Sequence, residues 1–157
     1  MPLVAFKTAD FQQLVDWIDS PELNYLWGGP AYDYPLTHEQ IRQHTEQAVV
    51  SPFLFYHDLK LAGFVELFHQ SSEVARVCRV FVDDKFRGQG VAQTMLCELI
   101  AMAKEMGYRQ LDLCVFANNA SAIRCYQALG FAEYQRDHQS REFRGEKWTL
   151  IFMKKTL

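Results

Sequence analysis

The sequence predicts a mixed α/β fold, built as one domain over residues 1–157. A chain of 157 residues is the size of one domain, and folding at this size buries about 70% of the unfolded chain's surface. The composition, 49% apolar and 22% charged, is that of an ordinary globular protein. Segments with strand and helix periodicity follow one another without an internal repeat or a low-complexity linker, which favours a mixed fold.

The first third of the chain predicts a strand and two helices. Residues 3–6 form a short apolar strand, and Asp10 then caps an amphipathic helix that Pro21 ends. Residues 23–35 combine glycine and proline with aromatic residues and predict a loop. The next segment, 37–50, starts with the spacing of a capping box and predicts the second helix.

The rest of the chain predicts several strands and two further helices. Residues 53–56 and 61–69 predict a hairpin whose turn is His57-Asp58. A glycine follows each of the later helices and predicts where it ends. The remaining elements are expected as a strand at 74–82, a helix at 90–106, a strand at 111–115, a helix from 118 or 119 to 129, and strands at 132–138 and 146–154 with a turn near 144–145.

The segment 80–92 is the most informative one for function. It reads as an apolar strand, a charged turn and a glycine-spaced start of a helix, so it places free backbone N–H groups at the positive end of that helix. A phosphate group binds well in such a place. The dinucleotide fingerprint requires a third glycine where Gln93 stands, and the Gly-Lys-Ser/Thr of a P-loop is absent. A plain strand–turn–helix without a ligand is the alternative.

Two motifs resemble those of the GNAT superfamily of acetyl-CoA-dependent acetyltransferases. Residues 87–92 have the form R-x-x-G-x-A, and residues 119–126 have the form N-x-x-A-I-x-x-Y, followed by Gly-Phe at 130–131. The order of the motifs and their separation by a helix and a strand match as well. The resemblance implies the GNAT fold, a central, mostly antiparallel sheet flanked by helices. The C-terminal part is similar to the branch that acetylates ribosomal-protein N-termini.

The resemblance implies acetyl-CoA as co-substrate, with no metal. The N–H groups of residues 87–92 would face the pyrophosphate, and the preceding strand would pair with the pantetheine arm. The motif asparagine would bind that arm or cap its helix. The implied cofactor-binding residues are Val80, Phe81, Val82, Arg87, Gly88, Gln89, Gly90, Val91, Ala92 and Asn119.

The resemblance also implies a catalytic tyrosine. Tyr126 matches the motif tyrosine and is expected to be the general acid for the departing thiolate. The alternative is a tyrosine that only packs on the inner face of its helix. The ribosomal-protein branch carries a catalytic glutamate five residues before the motif asparagine, where this chain has Cys114. A neutral thiol is a poor proton acceptor, so the general base has to be sought elsewhere.

Glu66 is the expected substitute for the missing glutamate. Strand alternation places it on one face with flanking aromatic residues, which would raise the pKa of its carboxyl. An ion pair with Arg76 or Arg79 on the next strand is the alternative interpretation. Glu73 and a water relay stay open as further candidates.

The acceptor is expected to be a primary amine, either a protein N-terminus, which we favour, or a small molecule. Trp27, Tyr32 and Tyr34 lie in the loop where this fold builds its acceptor pocket, and aromatic walls suit an amine through cation–π contact. A hydrophobic plug would use the same residues. A coenzyme A-binding sensor without catalysis is the alternative function.

Charge and targeting signals bear on partners and location. The formal net charge of −3 gives no indication of a nucleic-acid or membrane partner. The four cysteines are widely spaced and form no C-x-x-C pair, as in a reducing compartment. We expect a cytoplasmic protein, because the sequence shows neither a signal-peptide pattern nor an apolar run of about 20 residues. The expected oligomeric state is a monomer or a homodimer.

Overall fold

A seven-stranded sheet is the centre of the structure, a computed structural model that describes residues 3–157. The strands are β1 Leu3–Ala5, β2 Val50–His57, β3 Lys60–His69, β4 Val74–Val82, β5 Gln110–Phe116, β6 Ala132–Asp137, β7 Glu142–Phe143, β8 Glu146–Lys147 and β9 Leu150–Thr156. The helices are α1 Phe11–Trp17, α2 Pro21–Gly28, α3 His38–Thr45, α4 Val91–Glu105 and α5 Ala120–Ala128. No helix in this described part is both long and apolar enough to cross a membrane.

The sheet has the order β1-β2-β3-β4-β5-β9-β6. Every neighbouring pair is antiparallel except β4 and β5, which run parallel. The prediction of a mixed α/β fold with a mostly antiparallel sheet is therefore confirmed. The short strands β7 and β8 form a separate hairpin.

The sheet separates two apolar layers, because alternate residues of a strand point to opposite faces. On one face, Leu113 and Val115 of β5 join a core that includes buried residues of α4 and Tyr126 of α5. On the other face, α1, α2 and α3 cover Leu54 and Phe64. We call these the α4/α5 face and the α1–α3 face.

The loop predicted at residues 23–35 is partly wrong, because α2 occupies its first half. The Ser20 hydroxyl accepts a hydrogen bond from the Leu23 N–H at 3.1 Å, and Pro21 stands in the first turn. Serine at the N-cap and proline at the first helical position are helix-start signals. The pair Ser20-Pro21 therefore begins a helix as well as following one.

Three further boundaries differ from the predictions. The second predicted helix ends at Thr45 as α3, and β2 already begins at Val50. The turn of the hairpin is Asp58-Leu59, both with positive φ, one residue later than predicted. The last predicted strand is divided into β8 and β9.

Gly63 of β3 lies against the backbone of β4 and the Met95 side chain of α4. A Cβ at this position would stand 2.6 Å from the Phe81 carbonyl oxygen and 3.2 Å from the Met95 Sδ. We expect Gly63→Ala to lower the free energy of unfolding by about 1–3 kcal/mol, because neither the strand backbone nor the packed helix can yield freely. Urea unfolding measures the change, with the exposed Ser72→Ala as control. Equal midpoints for Gly63→Ala and wild type would contradict this packing.

Candidate active site

A cleft opens between β4 and β5, the parallel pair at the centre of the sheet. The two strands pair only where Val74–Val77 face residues 110–113. β5 stays paired with β9 along its whole length, and β4 stays paired with β3 as far as Val82, so the gap lies between these two central strands. The cleft has a volume of about 860 Å³ and is lined by both strands and by residues of α2, α4 and α5.

A β-bulge explains why β4 departs. In the register with β3, Glu66 faces Cys78 and Phe64 faces Phe81, so β4 carries one residue more than β3 over this interval. Arg79 lies inside the bulge with a φ of 51°. An extra residue bends its strand and increases the local twist. As a result, no strand within residues 3–157 pairs with the β5-facing edge of residues 78–82.

The glycine turn lies at the mouth of this cleft. Gly88 and Gly90 have φ angles of 76° and 73°, and Gly90 is the N-cap of α4. A Cβ at either glycine would meet no atom within 4 Å, so the space above the turn is free. The uncapped N–H groups at the start of α4 carry partial positive charge. This arrangement fits a phosphate group.

Nine of the ten residues expected to bind the cofactor line the cleft. Gln89 is the exception, since its side-chain amide donates to the Lys85 carbonyl oxygen at 3.2 Å. Asn119 is the N-cap of α5, but its side chain makes no capping hydrogen bond, and its Oδ1 accepts only a long hydrogen bond of 3.5 Å from the Ser121 hydroxyl. The nine are Val80, Phe81, Val82, Arg87, Gly88, Gly90, Val91, Ala92 and Asn119.

Tyr126 reaches the cleft from the α4/α5 face. The side chain is buried, packs edge-on against Phe131 at 6.2 Å between ring centroids, and lines the cleft. Burial raises the pKa of its hydroxyl, and the neighbouring Cys125 and Cys78 contribute to the same shift. The phenol therefore stays protonated at neutral pH, the state that a proton donor requires.

Cys114 and Cys78 also line the cleft. Burial raises the pKa of the Cys78 thiol to about 11 and also raises that of Cys114. Both thiols are therefore neutral near pH 7 and do not accept a proton from an ammonium group. The structure thus places Cys114 in the cleft without giving it the role of the glutamate that it replaces.

Glu66 lies outside the residues that line the cleft. Its side chain is only 1% exposed, and its Oε1 accepts hydrogen bonds from Arg79 Nη1 at 3.0 Å and His44 Nε2 at 2.8 Å. This geometry favours the ion-pair alternative, with Arg79 as the partner. The general-base role of Glu66 stays a prediction, and its carboxylate does not line the cleft.

The three aromatic residues expected in the acceptor pocket are dispersed. Trp27 lines the cleft, and its Nε1–H donates to the Arg79 carbonyl oxygen at 3.0 Å. Tyr32 lies behind Trp27, stacked on it at 5.6 Å and buried. The Tyr34 hydroxyl donates to the Asp19 carbonyl oxygen, away from the cleft. Only Trp27 contacts the space where an acceptor can lie.

Sequence reasoning missed the aromatic bridge over the outer end of β5. Tyr25 of α2 stacks on Phe116 at 5.5 Å and lies 5.2 Å from Phe143 and 5.3 Å from Trp148. Its hydroxyl also accepts a hydrogen bond from the Glu142 N–H at 3.0 Å. We call these four aromatic residues the aromatic bridge. The turn predicted near residues 144–145 is the one sequence signal for the hairpin of β7 and β8, which carries Phe143 and is followed directly by Trp148.

Comparisons with known proteins agree with this architecture. The model of the acetyltransferase (GNAT) family matches residues 11–131. A spermine/spermidine N(1)-acetyltransferase of Bacillus subtilis is 33% identical over 104 residues, which cover 61% of this chain and 66% of that protein. The chain spans less than two thirds of the length of the curated relatives that it matches, between 28% and 66%.

Two solved structures share the fold over nearly the whole chain. A ribosomal-protein-alanine N-acetyltransferase from Brucella melitensis superposes with a TM-score of 0.79 at 21% identity, covering 100% of both chains. A spermidine N-acetyltransferase from Vibrio cholerae, solved with CoA and spermine, superposes with a TM-score of 0.83 at 17% identity, covering 98% of this chain and 94% of that one.

The buried pair of Glu66 and Arg79 yields a stability prediction. We expect Glu66→Gln to lower the free energy of unfolding by about 3 kcal/mol, because it leaves the guanidinium without its compensating charge. The matched control is Glu73→Gln, where an exposed carboxylate lies 3.9 Å from Arg109, and its effect should stay below about 0.5 kcal/mol. Chemical denaturation of both variants, of Arg79→Met and of the double variant Glu66→Gln/Arg79→Met measures the coupling. Additive effects in the double variant would exclude a stabilising pair.

Proposed function

The chain belongs to the GNAT family of acetyltransferases, and on that premise we propose that it transfers an acetyl group from acetyl-CoA to a primary amine. One observation carries the proposal. The unpaired edge of β4 leads directly to the glycine turn at the start of α4, inside a cleft that also holds Tyr126. A ligand with an extended polar arm and a phosphate end fits that arrangement.

The chain's own groups suffice to hold such a ligand. The N–H groups of residues 90–92 would bind the pyrophosphate at the positive end of α4. Residues 78–82 would pair with the pantetheine arm in the way that an added strand extends a sheet. When bound, acetyl-CoA supplies an activated acyl group as its thioester. Asn119 would position the arm from the other side of the cleft.

We assign Tyr126 as the general acid that donates a proton to the departing thiolate. Burial keeps its hydroxyl protonated, and no other residue with an O–H of this acidity lines the cleft within residues 3–157. A positioned acid typically contributes about 10²–10⁴-fold to a rate.

The amine must lose a proton before it attacks, and the lining of the cleft offers no ordinary base. Within residues 3–157 it contains neither Asp, Glu nor His. It contains Arg76 and Arg141, together with Arg79 and Arg87, whose charges are offset by Glu66 and Asp84. Nearby positive charges disfavour the protonated form of a bound amine and so lower its pKa. We infer that this electrostatic effect, with water as the final proton acceptor, replaces a dedicated general base.

The missing base also favours a second candidate, a coenzyme A sensor without catalysis. The two functions separate in one experiment. Purified protein is given acetyl-CoA and a panel of peptides, polyamines and small amines, and release of the free thiol is followed. Turnover with any amine supports the enzyme, whereas binding of acetyl-CoA without turnover across the panel supports the sensor.

Tyr126→Phe tests the proposed acid. We expect kcat to fall about 100-fold, because the variant keeps the packing and loses the transferable proton. The dissociation constant for acetyl-CoA should stay within about twofold of wild type, since the ring remains in place. Tyr56→Phe is the matched control on the exposed side of β2, and it should leave both constants unchanged. Full activity in Tyr126→Phe would refute the assignment.

Gly90→Ala tests the phosphate cradle, with Gly107→Ala as its matched control. Both glycines have positive φ and open space around them, but Gly107 follows the far end of α4. Alanine strains either backbone by about 1–2 kcal/mol, so both variants lose stability. Only Gly90→Ala should weaken acetyl-CoA binding, by about tenfold, because it displaces the N–H groups that face the phosphate. Equal affinity in the two variants, measured by calorimetry, would place the phosphate elsewhere.

A further inference from the structure

The basic residues of the cleft are unequally compensated. Arg87 pairs with Asp84 at 2.9 Å, and Arg79 pairs with the buried Glu66 at 3.0 Å. Arg76 and Arg141 also line the cleft, but neither has a carboxylate within 4.0 Å among the described residues. Two guanidinium groups therefore line the same space without a carboxylate of residues 3–157 at ion-pair distance.

The contacts of Arg76 are poor for a partly buried cation. Its Nε is buried and has no hydrogen-bond partner among residues 3–157, and one terminal nitrogen lies 3.5 Å from the Gln70 Oε1. Asp112 is its register neighbour on β5, but that carboxylate accepts a hydrogen bond from Gln110 at 2.7 Å and lies outside the cleft lining. A buried donor without a partner costs free energy unless a ligand satisfies it.

Arg141 approaches from the other side, just before β7. Its Nη1 donates to the neighbouring Ser140 hydroxyl at 3.2 Å and leaves the rest of the fork free. Both arginines act on Cys114, where each lowers the thiol pKa against the larger effect of burial. The two cations thus lie in the same part of the cleft, near Cys114.

The aromatic bridge flanks this side of the cleft. Tyr25 links α2 to Glu142 at the start of β7 and stacks on Phe116, the bridge residue that lines the cleft. A space that is flanked by this bridge and lined by arginines suits a small anionic molecule.

Building on the acetyltransferase activity proposed above, we propose that the acceptor is a small amine carrying a negatively charged group, such as a carboxylate or phosphonate, which Arg76 and Arg141 bind. A guanidinium fork binds such oxyanions with two hydrogen bonds. A polyamine meets like charges in the same place and is disfavoured. Electrostatic selection of this kind acts as much by rejecting the wrong charge as by binding the right one.

The test compares matched pairs of amines with and without the anion. Wild-type protein and acetyl-CoA are given α-, β- and γ-amino acids and aminoalkyl phosphonates, each beside its amide or neutral ester, together with spermidine and a short peptide with a free N-terminus. We expect kcat/KM for the preferred anionic amine to exceed that for its neutral counterpart by about 10- to 100-fold.

Variants then assign the preference to the two arginines. Arg76→Met and Arg141→Met should each reduce the anionic-to-neutral ratio by about tenfold or more, and Arg76→Lys should restore part of it. Arg109→Met, at an exposed arginine paired with Glu73, is the control and should keep the wild-type ratio. The ratio is informative because a merely destabilised protein loses activity toward both amines alike.

The possible results separate the anionic acceptor, the role of the two arginines and the acetyltransferase activity. A wild-type preference for spermidine, the peptide or the neutral amines overturns the anionic acceptor and leaves the acetyltransferase activity standing. An anionic preference that survives in both methionine variants overturns the assignment to these arginines. Bound acetyl-CoA without thiol release from any amine overturns the activity, and the anionic acceptor with it.

Discussion

The divergence of β4 from β5 is the constraint on which the rest of the structure depends. A parallel pair in the middle of a sheet normally satisfies its backbone groups along its whole length. Here the pairing stops after Val77, because the bulge at Arg79 turns β4 away. The same bend frees a strand edge, opens the cleft and directs the chain toward the glycine turn. The cleft, the edge and the turn are therefore consequences of one local irregularity.

A buried cluster on the α1–α3 face holds that irregularity in place. Arg79 stands in a backbone conformation that is uncommon for a long side chain. Its carbonyl oxygen accepts from Trp27, and its guanidinium contacts Glu66 and lies 5.8 Å from the Tyr32 ring. Removing Glu66 from water is costly, so this cluster is poorly explained as a device for stability alone. Its position at the bulge explains it better, because each contact fixes the residue at which β4 leaves the sheet.

Features that depend on residues close together in sequence were predicted, and features that depend on contacts between distant residues were not. β4 and the end of α4 at Gly107 depend on local patterning, and both were predicted correctly. Ser20-Pro21 was ambiguous because the same pair ends one helix and begins the next. The partner of Glu66 on the helix side, His44, is 22 residues away in sequence. The contact of Tyr25 with the hairpin spans 117 residues. No periodicity encodes such contacts.

The charges of the cleft unite two observations that are separate in sequence. The chain as a whole carries a net charge of −3, yet the cleft lining within residues 3–157 is basic and contains no acid. A binding site for polyamines would need the opposite sign, whereas the carboxylate of an anionic acceptor offsets one of the two charges of Arg76 and Arg141 when it binds. Arg79 is already neutralised by Glu66, so it holds the bulge without competing for that anion. The positive charge that remains uncompensated opposes protonation of the acceptor's amine. In the proposed function, one electrostatic arrangement would thus select the substrate and prepare its nucleophile at a site where Cys114 stands in place of a glutamate.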